Sequence, residues 1–313
     1  MGTKKKTAYK VTNWREYNES LVRRGDITLW FDEDALATWE HANEEVKRGR
    51  PFTYSDAAIE CLLMLRELFR LPYRQTEGLG RALVQLMDVD VPIPSFTLLA
   101  KRAAKLKTSL DVSHTRGPID MVVDSTGLKV VGEGEWRSAA YQTCRRKTWR
   151  KLHLSINPET QEIMAEVLTT RSKVDAESVP ELLKQVDQPI DKFYGDGAYD
   201  RWAVHKQLEK QGIAPIIPPQ RGAVIKQHGN CKANPLAHDE AVRTIRRMGR
   251  SSWKREIGYH RRSLVETSMF RLKQAFGNRL KNKAFENQRI EVRLRCKLLN
   301  HFTQLGRPKS KWN

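Results

Sequence analysis

Three stretches of this chain carry acidic residues in settings where a carboxylate can be held still. Asp124 ends the apolar run MVV and is followed by Ser-Thr-Gly, so its side chain emerges where a buried strand reaches the surface. Ligand sites of α/β sheets favour such strand ends. Asp196 has the same setting in FYGDGAYD, between Gly195 and Gly197, which let the backbone bend and let another chain approach closely. Glu266 lies in YHRRSLVETSMFRLK, residues 259 to 273. Rigid carboxylates in these places suit ligand binding or catalysis. Each also has a plain structural reading. An aspartate after a strand forms turns or caps helices, and Asp200 is the better cap for the helix that follows. Ser263 and Glu266, three apart ahead of an apolar run, form a capping-box pattern.

A second geometry competes with the capping box. If the helix begins a turn or two earlier, Tyr259, Arg262, Glu266 and Lys273 share one stripe within about 60°, at about 100° per residue. Val265, Met269, Leu272 and Phe276 form a neighbouring apolar stripe, which would place Glu266 at the margin of a packed face.

The elements that must position these residues follow from hydrophobic period and turn chemistry. Residues 1 to about 112 read as a small helical domain, in which SDAAIECLLMLRELFRL, QTEGLGRALVQLM and IPSFTLLAKRAAKLK are helices, the last with Ser95 as N-cap. That third helix exposes Lys101, Arg102, Lys105 and Lys107. The arrangement suits either a helix-turn-helix recognition element or a plain bundle with a basic face. At Ile119 the pattern changes. MVVDSTGLKVVG, KLHLSIN and EIMAEVLTT read as strands, AESVPELLKQV as a helix, DKFYGDGAYD as a short strand, RWAVHKQLEKQG as a helix and IAPIIPP as a strand stopped by prolines. The order is β-β-β-α-β-α-β, with the helix around Glu266 following at a distance.

Composition narrows the class. With 313 residues, 39% hydrophobic and 30% charged, the chain has material for a sizeable core plus a smaller domain. No run of about 18 apolar residues or secretory signal is present, so neither a membrane span nor export is expected. Cys61, Cys144, Cys231 and Cys296 are widely spaced with no C-x-x-C pair, which fits a reducing cytoplasm. The formal charge of +19 favours a polyanionic partner, and nucleic acid is the obvious one. From Arg243 to Asn313 there are 20 Lys plus Arg against 4 Asp plus Glu, a net 16 of the 19. Phosphate contacts are therefore expected in this region, Arg289, Arg293, Arg295 and Lys297 among them.

Together these motifs resemble the DDE transposases of bacterial insertion sequences, in the insertion-sequence-five branch. That branch has a Tyr-(two)-Arg-(three)-Glu-(six)-Lys signature, which Tyr259, Arg262, Glu266 and Lys273 match at every position. NWREYNESLVRRGDITLWFDEDAL, DSTGLKVVGEGEW, WRKLHLSINPETQEI and YGDGAYD extend the resemblance over nearly the whole chain. It implies an α/β catalytic domain at 113–313 with a ribonuclease-H-like mixed sheet of five strands, first and fourth side by side, behind a helical DNA-binding domain at 1–112. It also implies catalytic and metal-binding roles for Asp124, Asp196 and Glu266, with two Mg²⁺ ions, for which Mn²⁺ can substitute. Two hard cations held by three carboxylates would activate a water or 3′ hydroxyl and stabilise the leaving oxygen of a phosphodiester. Arg262 and Lys273 would clamp flanking phosphates, with Tyr259 hydrogen-bonding or stacking beside them; Lys101, Arg102 and Lys105 would take part in DNA recognition.

The implied activity is binding of the element's terminal inverted repeats, cleavage of the ends and joining of the 3′ ends to target DNA, by a homodimer or higher assembly in the nucleoid. The alternatives are a DNA-binding regulator that has kept the fold without the chemistry, and a stand-alone nuclease. One departure from compact relatives is the much longer interval between Asp196 and Glu266. It implies an insertion at about 218–255, read as a DNA-contacting loop, since His228, Cys231 and His238 do not have zinc-motif spacing.

Overall fold

The computed structural model describes residues 9–29, 31, 33–43, 51–130, 149–227 and 236–312. The chain divides into two compact units, Met1–Ser109 with Lys297–Asn313, and Leu110–Cys296.

In the first unit, strand β1 (Tyr9–Val11) pairs antiparallel with the chain's last strand, Ser310–Trp312. Helices α1 (Trp14–Arg23) and α2 (Glu33–Ala37) precede three that pack on one another, α3 (Asp56–Leu68), α4 (Tyr73–Leu86) and α5 (Phe96–Ala103). Capping sets two of the starts. Ser55 Oγ accepts from the Ala58 N–H at 3.1 Å, and Ser95 Oγ accepts from the Leu98 N–H at 3.4 Å, each satisfying a donor that the first turn leaves orphaned.

The second unit is mixed α/β. Strands β2 (Ile119–Val130), β3 (Trp149–Ile156) and β4 (Ile163–Thr170) run antiparallel, while β5 (Ile190–Tyr194) and β6 (Ala214–Ile216) add in parallel on the other side of β2. The path is β4-β3-β2-β5-β6, so the first and fourth strands lie side by side as expected. One correction concerns strand number. A two-residue strand β7 (Arg279–Leu280) joins parallel to the end of β2, making six, and no hydrophobic alternation this short is readable in sequence. Between β4 and β5 the expected helix is reduced to α6 (Val179–Leu183) after a 3-10 turn. Helix α7 (Trp202–Lys210) connects β5 to β6. The core between α6, α7 and the sheet includes Met121, Val123, Ala165, Val167, Leu182, Phe193 and Leu208, all buried.

In the 218–255 segment, residues 218–227 form neither helix nor strand, and helices α8 (Ala237–Met248) and α9 (Arg250–Glu256) lie in its later part. A 3-10 turn at Tyr259–Arg262 leads into α10 (Ser263–Phe276), and α11 (Phe285–Leu305) follows β7. Helix α10 packs on β2 and β3 through Val265, Met269, Leu272 and Phe276, the expected apolar stripe, all of it buried.

Glu166 on β4 is buried and faces Arg293 Nε at 3.9 Å. Burial raises its carboxyl from 4.5 to about 7 despite that arginine. The folded state therefore keeps a proton that the unfolded state releases, so stability should fall as pH rises from about 4.5 to 7 and then level off. Glu166→Gln should flatten this decline and leave the protein more stable than wild type at pH 8. Denaturant unfolding across that range measures it, and equal slopes for the two proteins would refute the assignment.

Candidate active site

Side chains alternate between the two faces of a strand, so Asp120, Asp124 and Thr126 of β2 emerge together. The 3-10 turn and α10 lie over that face, and three basic residues meet these three positions. Arg261 pairs with Asp120, Arg262 Nη1 donates to Asp124 Oδ2 at 2.5 Å, and Lys273 Nζ donates to Thr126 Oγ1 at 2.5 Å. The second amino group of Arg262 donates to Glu266 Oε1, one helical turn on. A single guanidinium thus bridges Asp124 and Glu266, which lie far apart in sequence.

Ser263 and Glu266 do not form the capping box that their spacing allows. Ser263 is the first residue of α10, and its hydroxyl donates to the His260 carbonyl at 2.9 Å. Glu266 is engaged by Arg262 instead. The preceding 3-10 turn continues the chain's rotation, so Tyr259, Arg262 and Glu266 come together as the stripe arithmetic requires.

Asp196 follows β5, whose Tyr194 pairs in register with Val122. Its Oδ1 accepts from the Ala198 N–H at 2.8 Å, capping a 3-10 turn at Gly197–Tyr199. Gly195 sits in a tight place, since a Cβ there would approach the Tyr199 and Phe193 side chains at 3.1 to 3.2 Å. Asp196 lies close enough to Asp124 to disfavour its ionisation. The Asp124 carboxyl is raised first by burial, with Asp196 adding to it, against the Ser125 N–H and Arg262, which favour the charged form. Tyr259 is likewise raised, mostly by burial, and senses Asp196, Asp124 and Glu266 together.

The three acids therefore share one electrostatic neighbourhood. Among the described residues no set of three His, Cys, Asp or Glu side chains is gathered closely enough to hold a metal ion in this arrangement. Like charges repel, and here Arg262 compensates two of the three. The guanidinium itself is half-buried; that works against its charge, but Asp124, Tyr259 and Glu266 outweigh the penalty and its affinity for the proton is raised. Lys273 is shifted the other way, down, by burial.

Other sequence-derived candidates have different surroundings. In the first unit Arg102 is engaged by protein groups: it pairs with Asp56 at 2.6 Å, donates to the Tyr54 carbonyl at 3.0 Å and lies over the Phe52 ring at 4.8 Å. Lys101 and Lys105 are exposed, Lys105 beyond the end of α5. Of the C-terminal bases, Arg295 is buried against Glu291 and the Arg279 carbonyl, which corrects its assignment as a phosphate contact. Lys297 pairs with Glu60 within the first unit. A basic count does not distinguish the inner face of a helix from the outer one.

Asp200 does not cap α7. It accepts from the Gln220 N–H at 2.8 Å and lies 3.0 Å from His205 Nε2. His238 sits between Asp239 at 3.0 Å and Asp200 at 3.7 Å, while His228 and Cys231 lie outside the described residues. Sequence reasoning missed Thr126 as the partner of Lys273 and Asp120 as the partner of Arg261. Strand alternation about Asp124 is the signal that points to both.

Comparison with known proteins gives a family match. Residues 115–301 match the family described as Transposase DDE domain, and a second family with the same description matches residues 22–133. Among solved structures, the chain is similar to a piggyBac transposase in a synaptic complex with hairpin DNA, at 12% identity over 95% of this chain and 77% of that one, with a TM-score of 0.38. It also matches the Mos1 mariner paired-end complex with Mn, at 11% identity over 95% and 89% of the two chains, with a TM-score of 0.24. No helix among the described residues is long and apolar enough to cross a membrane.

Proposed function

Because the chain belongs to the family of transposases with a DDE domain, we propose that it binds the terminal inverted repeats of an insertion sequence, cleaves the ends and joins the 3′ ends to target DNA. The branch is that of insertion sequence five. The observation that carries the reading is the convergence of Asp124, Asp196 and Glu266, from three distant parts of the sequence, on one region around Arg262.

The donor set fits a hard divalent cation. All three acids offer only oxygen ligands, and the guanidinium between Asp124 and Glu266 stands in for positive charge at that place. Asp124, Asp196 and Glu266 would hold Mg²⁺, or Mn²⁺ in its stead, and the bound cations would supply Lewis-acid stabilisation of the charge on a phosphodiester. The chain's own residues orient the substrate. Lys273, held at Thr126 beside Asp124, offers a point charge to a flanking phosphate, and Tyr259, over which Lys254 lies at 4.8 Å, borders the same site. The net positive charge supplies general attraction to duplex DNA, acting in an assembly of two or more copies that brings two ends together.

The test uses the full chain and two duplexes, one carrying an end of the element and one unrelated, each with Mg²⁺ or with chelator. Strand cleavage is expected only with Mg²⁺ and chiefly at the element's end. Binding of the end without cleavage in either Mg²⁺ or Mn²⁺ would favour the silent-regulator reading instead.

A further inference from the structure

Resting on that reading of the site, we infer that Arg262 is its internal counter-cation and that it changes partners as the site is loaded, leaving Asp124 and Glu266 for a DNA phosphate. Both of its terminal amino groups are committed to these carboxylates, Nη1 to Asp124 at 2.5 Å and Nη2 to Glu266. The Arg262 side chain is only 21% exposed and that of Asp124 only 16%, so neither charge is left to solvent. Removing either partner strands the other in a poorly solvated place.

A divalent cation and this guanidinium draw on the same carboxylate oxygens. Their charges also repel at contact distance, with little water between them to screen the interaction. Cation binding at Asp124 and Glu266 therefore requires Arg262 to give way. A planar fork released from two carboxylates is matched to another bidentate oxygen partner, and a phosphate on the DNA strand is the one at hand. Two ligands that act on one two-position residue are coupled, and the coupling is reciprocal: DNA should tighten cation binding by holding Arg262 away, and the cation should tighten DNA binding by freeing it.

The neighbouring residue provides the control. Arg261, in the same 3-10 turn, pairs with Asp120 and lies 3.8 Å from Glu159, so its removal changes net charge equally without vacating Asp124 or Glu266. The experiment is a titration of the full chain with Mn²⁺, read from the electron paramagnetic resonance of the free ion, with and without a random-sequence duplex. Arg262→Gln is expected to bind Mn²⁺ about tenfold more tightly than wild type, within the usual range of such couplings. Arg261→Gln should change affinity by less than about threefold, and Arg262→Lys, which keeps charge without the fork, should fall between them. Duplex should tighten Mn²⁺ binding to wild type more than to Arg262→Gln. Equal affinities for wild type and Arg262→Gln, or an equal gain from Arg261→Gln, would overturn the exchange while leaving the site reading intact. Asp196→Asn separates the two failures: if it binds Mn²⁺ as wild type does, the cation is held elsewhere and both readings fall.

Discussion

Asp196→Asn should lose metal-dependent strand cleavage by on the order of a thousand-fold while DNA affinity measured in chelator stays within about threefold of wild type. The loss follows from magnitudes. Cation stabilisation of developing phosphoryl charge is worth several kcal/mol, and each step of about 1.4 kcal/mol is a factor of ten in rate. The retention follows from local geometry. Asp196 Oδ1 caps the 3-10 turn through the Ala198 N–H, and an asparagine carbonyl oxygen accepts the same bond, so the loop after β5 keeps its shape. The substitution thus removes a charge and a ligand with little change in packing. Gel-based cleavage and binding measured on the same preparation decide the matter. Cleavage within tenfold of wild type in Mg²⁺ would remove Asp196 from the mechanism.

Asp124 and Glu266, the acids that Arg262 bridges, stand out in the sequence for a definite reason. Period two places Asp124 and Thr126 on one face of β2, and helical period places Arg262, Glu266 and Lys273 on the surface that meets it. The spacing alone did not decide how Glu266 would be used. A capping box and an ion pair to the residue four positions earlier are both short-range options, and Ser263 bonds backwards to His260 because the chain is already turning at Tyr259. The exchange between protein and DNA partners proposed for Arg262 was not legible, since the signature gives its spacing from Glu266 and says nothing of its bond to a distant strand.

Charge counting failed at Arg295 for a related reason. The number of bases in a helix does not say which of them point inward, and on α11 the buried Arg295 is compensated by an acid one turn earlier. Glu291 and Arg295 have the i,i+4 spacing of an ordinary surface pair, yet both are buried. In the 218–255 segment, His238 in the first turn of α8 is tied to its neighbour Asp239 and to Asp200, which lies in the loop after β5. No sequence spacing encodes that meeting.

Glu291→Ala should be among the most damaging substitutions outside the carboxylate site. Its side chain is fully buried and accepts from the Lys281 N–H at 2.8 Å, the Asn282 N–H at 3.0 Å and Asn282 Nδ2 at 2.8 Å, in addition to Arg295. These bonds hold the turn directly after β7, the short strand that extends the sheet beside β2. Truncation leaves the Arg295 guanidinium buried without its acid and deprives the turn's N–H groups of their acceptor. Breaking one side of a buried pair costs about 3–5 kcal/mol, a large share of the roughly 5–15 kcal/mol that holds a protein folded. Arg295→Met should cost less, because Glu291 would keep its bonds to the turn and methionine fills the space of the arginine stem. It should also leave DNA affinity unchanged, as befits a base that faces inward. Guanidinium denaturation midpoints rank the two variants, and a Glu291→Ala protein within about 1 kcal/mol of wild type would show that the turn after β7 is held by something other than this carboxylate.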